Sequence, residues 1–397
     1  MNKKKKILFC IQSFQVGGIQ RALEHLLTKL DYNLYDVDIF CSLHSGPYKR
    51  VFADYNILKQ NRFLWALSVN YRELSGYRKY LAVIFKTISR VLGYLGLDIF
   101  DFTLRSVADD ITKRDYDTVV AFSEGYVTRM VSYINCPKKI AWIHIDYKRL
   151  LHYDSNGKNE NREIYEKFYK IVSPSLYSKG SLVEMYPDLE DKFIAIKNIF
   201  NEDKINQPSL DETIPNETIL DTRFNNDFFT IISVGRVCYE KRFFEIPAIA
   251  AKIKNMHASL FRWYIVGSGS DVVVGYVKDM IEKYDVSDCV ILLGAKDNPY
   301  PYISKSNVLV VTSISETFSY VIAEAKILGV PIITTDFQTA YEVVNDDSGI
   351  ILPIDSIQNG IIKMMNDKNY YLLLKDKLSN YTYDNSNSMN CINNLLC

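Results

Sequence analysis

Short continuous runs of apolar residues, separated by longer stretches with helical spacing, organise this chain. The run Ile7-Leu8-Phe9-Cys10-Ile11 stops at polar Gln12-Ser13. A run of that length predicts a strand buried on both faces. Gly17-Gly18 then opens a segment in which Ile19, Leu23, Leu26, Leu27 and Leu30 share one helical face. Further strands are expected at residues 36–42, 118–122, 139–144, 171–173 and 193–196. A second series follows at residues 230–234, 263–266, 290–293, 308–311 and 331–335, with a helix expected over 318–328. Strands alternating with helices predict α/β architecture with parallel, doubly wound sheets.

The rhythm breaks over residues 199–227, which hold Pro208, Pro215, several asparagines, seven acidic residues and two basic ones. This stretch reads as a linker between an N-terminal domain, residues 1–198, and a C-terminal domain, residues 228–380. Residues 381–397 form an Asn/Ser-rich tail whose structure the pattern leaves open. Two such domains are expected to enclose a cleft, with ligands at the carboxyl ends of the strands.

Composition narrows the class. The 397 residues are 48% hydrophobic and 24% charged, as expected of a globular protein with sizeable cores. Forty-seven basic side chains balance 47 acidic ones, so the net charge is zero and the usual electrostatic case for nucleic acid is missing. The balance is uneven, however. Residues 1–198 carry 30 Lys/Arg and 22 Asp/Glu, whereas residues 199–397 carry 17 and 25. Residues 1–105 alone hold 16 basic and 8 acidic side chains, the whole N-terminal excess. The seven cysteines include no C-x-x-C pair, so neither a zinc site nor a disulfide framework is indicated and a reducing compartment is expected. Lys3 to Lys6 precede an apolar run too short for a signal peptide, and no run reaches the length of a membrane span. A cytoplasmic protein is expected.

The candidate chemistry concentrates after two strands. In Ser315-Glu316-Thr317-Phe318-Ser319-Tyr320 through Glu324-Ala325, Glu316 and Glu324 lie eight residues apart, about 12 Å along a helix axis. An anion at the helix start would meet free N–H groups, flanked by the two carboxylates. The same spacing also suits an ordinary surface helix. Arg236 and Lys241 follow the turn at Gly235 and could neutralise a phosphate, or simply be exposed. Gly267-Ser268-Gly269 is half a dinucleotide fingerprint. With no third glycine it reads as a tight turn bringing backbone close to a ligand, not as an NAD site.

Together these stretches resemble the retaining glycosyltransferases of family 4, the group 1 glycosyltransferases. The residues concerned are Ser233-Val234-Gly235-Arg236 with Lys241, Ile265 to Gly269, Ser315-Glu316 with Glu324-Ala325, Gly329-Val330-Pro331-Ile332-Ile333 and Glu342-Val343-Val344. The N-terminal half is similar at Gly17 to Leu23, Trp142 to Asp146, Ser173 to Lys179 and Lys197 to Ile199. Leu176, and Gln338-Thr339 in place of a frequent glycine pair, depart from the pattern. The resemblance implies GT-B architecture, two Rossmann-like doubly wound domains facing across a cleft. It implies catalytic roles for Glu316, at the transferred sugar, and His144, as a hydrogen-bond partner of that sugar. Donor binding would fall to Gly17, Gly18, Arg236, Lys241, the backbone of Thr317, Phe318 and Ser319, and Glu324 on the ribose hydroxyls. The donor would be a nucleotide-diphosphate sugar, UDP-linked, with no metal and no other cofactor. The acceptor would be a lipid-linked glycan or polysaccharide of the bacterial cell surface (capsule, O-antigen or exopolysaccharide). A nucleotide-sugar epimerase and a non-catalytic sugar-nucleotide or glycan-binding protein are the alternatives. Asp36-Val37-Asp38 and Asp115-Tyr116-Asp117 match the signature of metal-dependent glycosyltransferases, but both precede apolar strands and are assigned to loops.

Leu81, Ile84, Phe85, Ile88, Val91, Leu92 and Leu95 fall on one helical face, with Arg78, Lys79, Lys86 and Arg90 outside it. Such a helix either packs on the N-terminal core or rests on an anionic membrane surface through residues 78–95.

Overall fold

The computed structural model describes residues 3–146, 162–206, 221–225, 227–256 and 260–397. The chain forms two units, Met1–Phe200 with Asn385–Cys397, and Asn201–Asp384. The first unit holds β1 (Lys5–Ser13), β2 (Tyr35–Leu43), β3 (Asn56–Ile57), β4 (Thr118–Ala121), β5 (Lys138–Trp142), β6 (Lys170–Ser173) and β7 (Phe193–Ala195). They form one parallel sheet in the order β3-β2-β1-β4-β5-β6-β7. The second unit holds β8 (Phe229–Val234), β9 (Phe261–Val266), β10 (Val290–Gly294), β11 (Val308–Val311), β12 (Ile332–Thr335) and β13 (Gly349–Leu352). These form a parallel sheet in the order β10-β9-β8-β11-β12-β13.

Central strands such as β4, β11 and β12 are buried along their whole length. That is why their sequences run continuously apolar. The strands the pattern did not predict, β3 and β13, both lie at sheet edges and are mostly incompletely buried. Each sheet changes winding direction once, between β1 and β4 in the first and between β8 and β11 in the second. Loops leaving the two strands at such a point diverge to opposite faces and leave a crevice at their carboxyl ends.

The two Asp-x-Asp matches are far from those crevices. Asp36 and Asp38 lie within β2, not in a loop, because β2 pairs with β1 from Lys5↔Tyr35 onward. Asp38 accepts hydrogen bonds from the Tyr116 hydroxyl (2.6 Å) and Asn56 Nδ2 (2.8 Å), and Asp117 accepts one from Lys6 N (2.8 Å). All sit at the amino ends of their strands.

Only the ends of the expected linker are described, since residues 207–220 and 226 lie outside the described residues. Ile199 and Phe200 are buried in the first unit. Residues 221–225 are tied to the second unit: Asp221 accepts hydrogen bonds from Lys296 Nζ (2.8 Å), and Arg223 Nη1 donates to Leu292 O (2.9 Å). Arg223, with Lys296, holds the Asp221 carboxyl well below the usual carboxylate range. The tail also has a place. Residues Ser386–Leu396 form a helix of the first unit, with Ile392, Leu395 and Leu396 buried. Asn385 and Phe200 exchange two hydrogen bonds, 3.0 Å and 2.9 Å, where the chain leaves and re-enters that unit.

The helix Gly76–Tyr94 leaves most of its apolar face exposed. Among its described side chains only Ala82 is buried, although Phe85 meets Phe63 edge-on. Leu81, Ile84, Ile88, Val91 and Leu95 are exposed, as are Tyr77, Tyr80 and Tyr94. No single helix among the described residues is long and apolar enough to cross a membrane.

The glycines of Gly267-Ser268-Gly269 allow close backbone packing between two loops. A Cβ on Gly267, which has φ +154°, would lie 1.8 Å from Gly235 O, and one on Gly269 would lie 2.0 Å from Val237 O. The loops after β8 and β9 are instead joined by Gly235 N to Val266 O (3.0 Å) and Val237 N to Ser268 O (2.8 Å). Gly267→Ala should therefore destabilise the fold by more than about 1 kcal/mol in urea unfolding. Gly275→Ala, inside the helix Asp271–Lys283 where a Cβ meets nothing, should stabilise it by about 0.5–1 kcal/mol. Equal midpoints for the two variants would contradict this account.

Candidate functional site

The loops that leave β8 and β11 straddle the winding change of the second sheet, and they carry Lys241 and Glu316. After β8 the chain makes a short 3₁₀ turn, Tyr239–Lys241. After β11 it does not coil directly into a helix. The helix starts at Tyr320, with Ser319 as its N-cap, and ends at Ile327. Glu316 therefore lies in the preceding loop, whereas Glu324 lies in the helix, so the separation of about 12 Å expected along one helix axis does not apply. Tertiary hydrogen bonds keep the loop open. Ile314 N donates to Glu240 O (2.8 Å), Thr312 Oγ1 to Lys241 O (2.6 Å), Thr339 Oγ1 to Glu316 O (2.7 Å), and Thr335 Oγ1 to Ser313 O.

The result is a held carboxylate. Glu316 Oε1 accepts a hydrogen bond from Ser313 Oγ (2.6 Å) and forms an ion pair with Lys241 Nζ. Only 12% of the Glu316 side chain and 24% of the Lys241 side chain is exposed. The pair is thus largely removed from water, where charge pairs interact more strongly. Glu324 is fully buried and accepts a hydrogen bond from the Tyr300 hydroxyl (3.3 Å), which comes from the segment after β10. Arg236 is exposed and forms no ion pair among the described residues. Thr317 is half-buried, and Phe318 packs its ring 5.3 Å from that of Tyr320. Ser319 is 1% exposed, makes no side-chain cap bond, and its Oγ has no hydrogen-bond partner among the described residues. A buried hydroxyl without a partner at an uncapped helix start is free to donate to an acceptor oxygen.

Of the residues the sequence singled out, the structure joins Lys241 to Glu316 and sets Thr317 to Ser319 between Glu316 and the Glu324 helix. It does not bring Arg236 into contact with them. Ser313, Thr339 and Tyr300 were missed. Thr339 was visible only as a departure from a resemblance, and nothing in the sequence near Tyr300 connects it with Glu324.

Gly17, Gly18 and His144 belong to the first unit, beyond the carboxyl ends of β1 and β5. Gly17 is the N-cap of the helix Gly18–Leu27, in extended backbone that any residue adopts, and Gly18 is the first, exposed residue of that helix. The His144 backbone N–H donates to Glu124 Oε1, and its ring centroid lies 4.9 Å from that of Phe122. The residue as a whole keeps some exposure, but its Nε2 is buried. Burial of the ring pushes its pKa down to about 3. At neutral pH the imidazole is uncharged, suited to hydrogen bonding and not to holding an anion.

Comparison with known proteins places the second unit. Residues 216–385 match the family model described as "Glycosyl transferases group 1". The match covers most of the second unit and less than half of the chain. Over 182 residues the chain is 26% identical to the uncharacterized glycosyltransferase MJ1059 of Methanocaldococcus jannaschii, covering 44% of this chain and 42% of that one. Over 219 residues it is 25% identical to N-acetylgalactosamine-N,N'-diacetylbacillosaminyl-diphospho-undecaprenol 4-alpha-N-acetylgalactosaminyltransferase of Campylobacter jejuni, covering 54% and 55%. The chain thus spans about half the length of the curated relatives it matches. The fold is matched throughout by Anabaena Alr3699/HepE, solved in complex with UDP and glucose, at a TM-score of 0.72, 15% identity and 99% coverage of both chains. Two parallel α/β units of this kind are the GT-B glycosyltransferase fold.

The neutral His144 gives a pH prediction. Its folded pKa near 3 lies below the ~6.5 of a free histidine, so the unfolded chain takes up the proton first as pH falls. The stability it supports is complete above about pH 6.5 and is lost on acidification toward pH 3. Between pH 7.5 and pH 4.5 the parent should lose more unfolding free energy than His144→Asn does. Equal losses in urea titrations would refute the assignment.

Proposed function

We propose that this protein is a retaining glycosyltransferase that moves a sugar from a UDP-linked donor to a lipid-linked or polysaccharide acceptor. The pathway would be assembly of a bacterial cell-surface polysaccharide such as capsule, O-antigen or exopolysaccharide. The Lys241–Glu316 ion pair at the winding change of the second sheet carries this reading. When a sugar leaves a nucleoside diphosphate, positive charge develops at the anomeric carbon and negative charge on the departing phosphate. A carboxylate and an ammonium held one hydrogen bond apart match that dipole before the reaction starts. Glu316 would steady the anomeric carbon, and Lys241 with Arg236 would take the diphosphate. The partnerless Ser319 hydroxyl and the uncapped helix start would donate to phosphate oxygens, and Glu324 would accept from the ribose hydroxyls. This residue set supplies positive charge and N–H donors for the leaving group from the chain itself, and no metal or other cofactor is part of the proposal. The roles expected of Gly17, Gly18 and His144 belong to the same proposal. So does the first unit as acceptor-binding unit.

The name of one relative favours a lipid-linked acceptor, since the Campylobacter jejuni enzyme is named for a diphospho-undecaprenol substrate. The exposed face of Gly76–Tyr94 supports a cytoplasmic protein resting on the inner membrane surface. That helix has no acidic residue, four basic ones and three exposed tyrosines beside its apolar stripe. An anionic bilayer is the partner those charges and interfacial aromatic side chains suit.

Both parts are testable. A panel of nucleotide-sugars, scored by nucleoside-diphosphate release with and without a lipid-linked acceptor, should show acceptor-dependent release. Conversion of the donor without acceptor would point to an epimerase, and no turnover with any donor to a binding protein. Glu316→Ala should abolish transfer, by at least about 100-fold, while the protein still folds, with some loss of stability because Lys241 is left without its partner; full activity would sink the site assignment. Separately, the protein should bind phosphatidylglycerol-containing liposomes at low salt and release them at high salt. Ile84→Asp with Ile88→Asp, at positions 51% and 48% exposed, should remove binding without unfolding. No affinity in the parent protein would end the membrane proposal.

A further inference from the structure

The segment after β12 has no assigned role, yet it bonds directly to the loop that carries Glu316. Thr339 is the N-cap of the short helix Ala340–Val343, a position where a threonine hydroxyl ordinarily accepts from the first free N–H groups. Here it makes no such bond. Its Oγ1 donates 2.7 Å to Glu316 O instead, and the residue is 1% exposed. Thr335 Oγ1, at the end of β12, donates to Ser313 O, so two threonines of one segment hold two carbonyls of the Glu316 loop. Ser313 Oγ then bonds the Glu316 carboxylate itself at 2.6 Å.

We infer that Thr339 is a positioning residue for Glu316, spending its capping hydroxyl on the carbonyl of the residue whose carboxylate meets the transferred sugar. The inference rests on the proposed role of Glu316. It follows from where the restraint acts. Ser313 and Lys241 hold the end of the side chain, and neither fixes the main chain on which that side chain is mounted. Thr339 does, from a separate element. Loss of its hydroxyl leaves the carboxylate present and ionised but its approach angle loose, and a misplacement of about 1 Å can cost on the order of 100-fold in rate. Arg236, after β8, and Glu324, in the helix Tyr320–Ile327, which are among the residues proposed to bind the nucleotide, lie on other elements.

The experiment compares Thr339→Val, which keeps the shape and removes the hydroxyl, with Thr339→Ser, which restores it. Turnover is read with the UDP-sugar that the donor panel selects, and UDP binding by calorimetry. Thr339→Val should lower kcat at least about tenfold while the Kd for UDP stays within about threefold, and Thr339→Ser should recover most of the lost rate. Parent-like kcat in Thr339→Val overturns the inference. So does a parallel fall of kcat and UDP affinity that serine does not rescue, because that marks a merely structural threonine. If the valine variant does not fold, Thr339→Ala is read by the same criteria. Glu316→Ala run alongside separates the two levels. Full turnover there removes the role of Glu316 itself and the inference with it. Loss of turnover there, with Thr339→Val unaffected, removes the inference alone.

Discussion

The organisation of the second unit depends on one topological constraint, the reversal of winding between β8 and β11. Adjacent parallel strands whose following loops leave toward opposite faces cannot fill the space above their own carboxyl ends. The chain places a turn ending in Lys241 on one side of that gap and the Glu316 loop on the other. A lysine and a glutamate 75 residues apart in sequence thereby form a partly buried ion pair. Neither loop is rigid by virtue of its own sequence. Each is held by bonds from its neighbours, Thr312 and Ile314 to the β8 side and Thr335 and Thr339 to the β12 side.

A loop pinned in this way cannot also be helix. Residues 312–319 place backbone and side-chain groups in tertiary hydrogen bonds that an α-helix would need for itself, so the helix begins only at Tyr320. The delayed start moves the uncapped N–H groups to Ser319, away from Glu316, and separates the two glutamates onto different elements. The polar groups of the candidate site thus collect where regular structure stops, while the buried strands beneath supply the rigid base. The glycine turn after β9 plays a supporting part. It lets two neighbouring loops touch backbone to backbone, and side chains there would force them apart.

The architecture was largely legible in the chain because buried parallel strands leave an unmistakable mark: four to six apolar residues bounded by polar or glycine positions. Edge strands β3 and β13 escaped because half-exposed positions need not be apolar. The C-terminal helix escaped because its Asn-rich sequence has weak helical character of its own. It is stabilised by burying Ile392, Leu395 and Leu396 in a unit formed from the other end of the chain. The apolar stripe of Gly76–Tyr94 was legible as a stripe, but its periodicity was equally that of a helix packed on a core. Only its exposure in the folded chain distinguishes the two.

For the site, the sequence alone determined which residue types stand after which strands: Lys241 after β8, Glu316 and Ser319 after β11, Glu324 one helix further. Those assignments follow from local pattern and need no knowledge of distant partners. Tertiary structure alone decided which of them meet. The Lys241–Glu316 pair, the separation of Glu316 from the Glu324 helix, and the holds exerted by Thr339 and Tyr300 depend on strand order and on loops distant in sequence. A hydroxyl that caps its own helix and one that reaches across to another loop are the same residue in sequence. The difference between them is a matter of distance, which is set only once both sheets have formed.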